Sequence, residues 1–161
     1  MIIVSDTSCL LNLAIIGRLE LLRELYGTMM IPTAVYDELV RKGAGMPGAA
    51  DIEAAEWIVV KEPRNRALVK TLQMQIHPGE AEAIALALDL MADLLLLDER
   101  KARVVAAQLG LNFTGLLGLL AEAKQKGHIP TVKPVLDALI TQARFWVRPA
   151  LYNHVLETVG E

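Results

Sequence analysis

An α/β fold is predicted by three features of the chain. Short apolar runs alternate with stretches of helical periodicity along its whole length. One run, Leu94 to Leu97, is four leucines in a row, the pattern of a strand covered on both faces in a parallel sheet. The 161 residues, 53% hydrophobic and 22% charged, suit one compact domain over 1–161, with no internal repeat or low-complexity linker to divide it.

Ile2 to Ser5 reads as the first strand. Ser8 to Tyr26 reads as one helix, with Leu10, Leu11, Leu13, Ala14, Leu21, Leu22 and Leu25 at helical spacing and Gly27 as its stop. Thr28 to Ile31 is the second strand, and Pro32-Thr33 opens a short helix through Lys42. The glycines and proline of Gly43 to Gly48 mark a loop, and Trp57 to Val60 a short strand. A polar helix is expected over Arg64 to Gln75. After the punctuation of His77-Pro78-Gly79 comes a helix, Glu80 to Met91, apolar on nearly every side and therefore buried. Leu94 to Leu97 is followed by a helix over Glu99 to Leu109, ended by Gly110. Asn112 to Thr114 is an edge strand, and helices over Leu116 to Lys126, Val132 to Ala143 and Pro149 to Val159 complete a helical C-terminal third.

Several function classes are disfavoured by composition. The single cysteine, Cys9, has no partner for a disulfide or a thiolate cluster and is expected in the core. The most apolar stretch, Ala81 to Leu97, is interrupted by Glu82, Asp89 and Asp93, so no membrane span is expected. Met1 leads directly into a strand-like run with no basic region and apolar leader, so a cytoplasmic protein is expected. A net charge of −3 gives no general attraction for nucleic acid, so any RNA binding must come from local patches or a partner. His77, His128 and His154 show no metal-ligand spacing, and Asp6-Thr7-Ser8 stands where a phosphate-binding glycine loop would follow the first strand.

Ligands of open parallel sheets sit at the carboxyl ends of the strands, so Asp6 and Asp98, each directly after a strand, are placed for chemistry. Either alone reads equally as a helix N-cap. Two carboxylates on neighbouring strand ends, however, repel unless a cation lies between them, and hard oxygen donors suit Mg²⁺ or Mn²⁺. Glu80 sits in a first helical turn, where the helix dipole alone favours an acid. Glu82 lies about 200° further round the helix and aligns with Asp89 and Asp93 in a polar stripe. Asp37 and Glu38 both flank the face of Val35, Tyr36, Leu39 and Val40, and the helical wheel does not choose between them.

Four blocks resemble, in order, those of PIN-domain proteins: IIVSDTSCLLNLAIIGRL, IPTAVYDELV, HPGEAEAIALALDLMADLLLLDERKARVVAAQLGL and TGLLGLLAEAKQKGHI. The resemblance covers about residues 1–145 and is closest to relatives of VapC-like ribonuclease toxins. It implies a three-layer fold, a mostly parallel sheet flanked by helices. It also implies four acids, one ending the first strand, one on the helix after the second strand, and two at a later helix start and strand end. These carry over to Asp6, Glu38, Glu80 and Asp98, as catalytic residues and as ligands of Mg²⁺ or Mn²⁺. Glu82 and Glu99 are further candidates for the third acid, and Ser8, more than Thr7, for a polar group beside the first.

The function so implied is hydrolysis of RNA by water activated on the metal, in a toxin paired with an antitoxin protein and assembled as a homodimer. Among the basic residues, Arg100 and Lys101 are the best placed to meet RNA because they follow Asp98. Two alternatives stand beside it. One is a catalytically weak PIN-like protein-interaction module, and the other a receiver or phosphatase-like α/β domain. The last usually needs paired acids at the first strand, where Asp6-Thr7-Ser8 offers one.

Overall fold

Five short strands, all parallel, form the central sheet in a computed structural model that describes residues 1–161. They are β1 (Ile3–Ser5), β2 (Met29–Pro32), β3 (Ile58–Lys61), β4 (Leu94–Leu96) and β5 (Phe113–Thr114), in the order β3-β2-β1-β4-β5. β1 is central, with Val4 opposite Met30 of β2 and Ser5 opposite Leu96 of β4.

Successive side chains of a strand point to opposite faces, and the two cores divide accordingly. Ile3, Met29, Ile31 and Leu96 belong to the larger core, on the side of α1 (Thr7–Ile15), α2 (Glu20–Tyr26), α8 (Leu116–Gln125) and α9 (Lys133–Gln142). Val4, Leu95 and Leu97 belong to the smaller one, with α5 (Arg66–Leu72), α6 (Pro78–Asp89) and α7 (Arg100–Gln108). The molecule is therefore a three-layer α/β fold whose sheet is parallel throughout. α6 is the buried helix its composition demands, with every residue from Ala81 to Ala87 buried. No helix is long and apolar enough to cross a membrane.

Three departures from the sequence reading have local causes. The helix expected over Ser8 to Tyr26 is two helices, because Gly17 takes a left-handed φ of 72° and the Arg18 N–H closes back on the Leu13 carbonyl at 2.8 Å. α4 (Ala49–Ala54) has no counterpart in the sequence reading, since only Ala49 and Ile52 of its six residues are buried and leave little periodicity. The helix opened by Thr33 is α-helical only through Tyr36, as α3 (Thr33–Tyr36), and continues as a π-helical turn over Asp37–Arg41. There the Lys42 N–H reaches the Asp37 carbonyl five residues back, at 2.7 Å. α10 (Pro149–Thr158) closes the chain.

The strand order carries a functional consequence. The chain leaves β1 towards β2 on one side and β4 towards β5 on the other, so the crevice between the carboxyl ends of β1 and β4 is the switch point where open α/β sheets bind ligands. Flavodoxin-like receivers have the order 2-1-3-4-5, which this sheet does not.

Candidate active site

Asp6 and Asp98 stand at that switch point. Asp6 leaves β1 with its N–H on the Leu96 carbonyl of β4, at 3.0 Å, and its side chain is 1% exposed. Its Oδ1 accepts the Cys9 N–H at 3.1 Å and so caps α1, whereas Oδ2 is buried without any hydrogen-bond partner. Burial above all pushes the Asp6 carboxyl up to about 7, with the Asp98 charge adding to the rise and the Cys9 N–H opposing it.

Asp98 does not cap the helix that follows it. Glu99 does, accepting the Ala102 N–H at 2.9 Å. Asp98 is left to other partners: its Oδ1 accepts the Leu116 N–H of the first turn of α8 at 3.1 Å, and its Oδ2 accepts the Cys9 thiol at 3.2 Å. Burial, with the charges of Asp6 and Asp98, drives the Cys9 thiol well above its ordinary value, which keeps it a donor. Arg103 brings Nη2 to 3.7 Å from Asp98 Oδ1 while its Nε donates to the Leu97 carbonyl at 2.7 Å. Gly115 makes this packing possible, since a Cβ there would collide with both Asp98 Oδ1 and Arg103 Nη2.

Glu38 and Glu80 form a second grouping. The π-helical turn carries Glu38 inward, where its Oε2 accepts the Thr7 hydroxyl at 2.9 Å and its Oε1 lies 3.3 Å from His77 Nδ1. Asp37, which the helical wheel does not separate from Glu38, pairs with Arg41 at 3.0 Å. Glu80 accepts the His77 N–H at 3.2 Å, closing the N-terminus of α6. Its carboxyl is raised by burial first, opposed by that N–H, and raised further by the charges of Glu99 and Glu38. Thr7 follows Asp6 directly in the chain, so the two groupings adjoin through Thr7.

No three of the His, Cys, Asp and Glu side chains are close enough together to hold an ion in these side-chain positions. The four candidate acids thus stand as two pairs, one joined by Cys9 and one by His77. Of the two hydroxyls after Asp6, Ser8 is exposed and Thr7 donates to Glu38. Glu82 is not part of a solvated stripe: its side chain is 9% exposed, accepts the Ala34 N–H at 3.1 Å and pairs with Arg66 at 3.3 Å. Arg100 and Lys101 are exposed, and Arg103, a turn later, is the basic residue on Asp98. Sequence gives a weak signal for it, an Arg one helical turn after the N-cap Glu99.

Beside Glu38 opens a groove of about 800 Å³, lined by Thr7, Glu38, Lys42, Met46, Arg66 and His77 among others. It lies within the size range of ligand clefts. The orphaned Asp6 Oδ2 fits a cation, because a buried carboxylate oxygen without a donor is costly and every candidate ligand here is a hard oxygen.

Comparison with known proteins agrees with this architecture. The profile of the DUF3368 family, a PIN domain, matches residues 2–161. A PilT N-terminus domain protein from the hyperthermophilic archaeon Sulfolobus solfataricus P2 has a similar fold, with a TM-score of 0.52 and 24% identity over 76% of this chain and 93% of that one. No curated protein matches. PIN domains are generally nucleases that bind divalent metals. With a match over nearly its whole length and acids gathered at the β1/β4 switch point of a parallel sheet, this chain belongs to the PIN-domain family.

Proposed function

We propose that this protein is a metal-dependent endoribonuclease, and that it acts as the toxin of a toxin–antitoxin pair. The observation that carries the reading is the buried Asp6 carboxylate, whose Oδ2 has no partner and which adjoins Asp98 through Cys9. Such an atom at a sheet's switch point is costly in a merely structural role and useful in a metal site.

Asp6, Glu38, Glu80 and Asp98 would hold Mg²⁺ or Mn²⁺, directly or through water. The bound metal supplies an activated water and charge stabilisation on a phosphodiester. Within the chain, Asp6 is fixed by the Cys9 N–H and Asp98 by the Leu116 N–H and the Cys9 thiol, so both carboxyls, with Asp6 Oδ2 free, are oriented before any ligand arrives. Thr7 fixes one oxygen of Glu38, leaving the other on the His77 side to orient water. Arg103 lends positive charge beside Asp98, where the RNA backbone would meet it. A cognate antitoxin would place a cation or a covering segment over the acids, and the protein would work as a homodimer.

The separation of the acids into two pairs favours a second reading, a catalytically weak PIN-like module that acts by binding proteins. Incubation of the purified protein with RNA, with Mg²⁺ or Mn²⁺ and then with chelator, separates them. Cleavage that starts with metal and stops with chelator supports the nuclease; no cleavage with either metal would leave the module. Co-expression with the product of an adjacent reading frame, relieving toxicity, tests the pairing.

A further inference from the structure

The stretch Arg144 to Arg148, which joins α9 to α10, alternates in exposure: Arg144, Trp146 and Arg148 face solvent, while Phe145 and Val147 are half-buried against the larger core. Arg144, at a left-handed φ of 56°, turns the chain out of α9 into this course. Trp146 is 77% exposed, an unusual position for the largest apolar side chain. Neither arginine enters an ion pair with an acid of the chain. The segment reaches the candidate active site, because Trp146 and Phe145 line a cavity of about 380 Å³ whose other walls include Asp98, Arg103 and Phe113. Arg103 lies over the Phe113 ring at 5.5 Å, so aromatic faces and a guanidinium are already assembled there.

We infer that this cavity is a nucleobase subsite for single-stranded RNA, with a base stacked on Trp146 and the neighbouring phosphates on Arg144 and Arg148; the inference rests on the nuclease reading above. Stacking on an exposed aromatic beside unpaired cations is how sequence-tolerant single-strand binding is built. A duplex would keep its bases stacked on one another and leave Trp146 without a face to meet. The shared wall at Asp98 puts the stacked nucleotide next to the scissile phosphate. In a protein of net charge −3, Arg103 in the cavity wall, with exposed Arg144 and Arg148 on the segment that carries Trp146, supplies a local attraction that the whole molecule does not.

The test uses the full chain with Asp6→Asn to prevent cleavage and Trp57→Phe to leave Trp146 as the sole tryptophan, titrated with oligouridylate in Mg²⁺. Trp146 emission is expected to be quenched by the single strand and not by duplex RNA. Trp146→Ala should weaken binding about 5- to 150-fold and Trp146→Phe much less. Arg144→Gln with Arg148→Gln should flatten the salt dependence by about 0.7 for each phosphate that is no longer neutralised. Unquenched emission, with Trp146→Ala binding as tightly as its parent, would overturn the subsite, even if the wild-type protein cleaves RNA. Emission that shifts with protein concentration and ignores RNA would overturn it too, assigning this face to a second copy of the chain. Quenching and weakened binding without metal-dependent cleavage by the wild type would instead keep the subsite and overturn the nuclease.

Discussion

Asp6 and Asp98 meet across Cys9, whose N–H donates to one carboxylate at 3.1 Å and whose thiol donates to the other at 3.2 Å. The arrangement fixes two acids at the end of adjacent parallel strands and leaves Asp6 Oδ2 free and buried. Stability, electrostatics and chemistry meet at that atom, and the following outcomes are expected from it and from its surroundings.

Asp6 makes the metal-free protein less stable as pH rises. Its folded-state value, about 7, lies above the ordinary 3.8, so between these limits the folded chain binds more protons than the unfolded one. The stability this group contributes is present below about pH 4 and is lost as pH climbs through 7, on the order of 4 kcal/mol in all. Urea unfolding in chelator, compared at about pH 5 and about pH 8, should show the fall in wild type and a flatter profile in Asp6→Asn. Parallel profiles for the two proteins would show that Asp6 ionises normally.

Gly115→Ala should cost about 1–3 kcal/mol, because the new Cβ must displace Asp98 or Arg103. RNA cleavage should fall further than the folded fraction does, since the Cβ meets Asp98 and the Arg103 that pairs with it. Chemical denaturation and activity measured on the same preparation check both parts.

Glu82→Ala should destabilise by about 1–3 kcal/mol through the Ala34 N–H and Arg66 that it leaves unpaired. Cleavage per folded molecule should stay within a few-fold of wild type. A collapse of kcat without loss of stability would move Glu82 into the catalytic set.

Thr7→Val removes the donor that fixes Glu38 and should lower cleavage about 10-fold or more, while Ser8→Ala, at an exposed position, should not. Equal effects of the two variants would remove Thr7 from the site.

Much of the fold is legible in the sequence because strands buried on both faces announce themselves as apolar runs, and Leu94 to Leu97 is the plainest of them. The positions of Asp6 and Asp98 follow from the same rule, an acid where such a run stops. What escaped depends on residues distant in sequence or on backbone that departs from the helical period. Glu38, rather than Asp37, contacts Thr7 and His77 from a π-helical turn that no 3.6-residue wheel describes. Glu82 shares its spacing with Asp89 and Asp93, so the pattern suggests solvent, but Arg66 and the start of α3 draw it inside. Arg103 is one basic residue among many until Gly115, twelve positions on, lets it reach Asp98. Gly17 ends a helix whose apolar spacing otherwise continues, since a single left-handed glycine outweighs periodicity.

The most direct test of the account is RNA cleavage in Mn²⁺ by wild type and Asp6→Asn, purified side by side with their folding checked by circular dichroism. The amide can still accept the Cys9 N–H and cap α1, so the variant is expected to fold, and to lose cleavage on the order of 100-fold or more with the charge that balances the metal. An Asp6→Asn protein that cleaves as fast as wild type in Mn²⁺ would contradict the account.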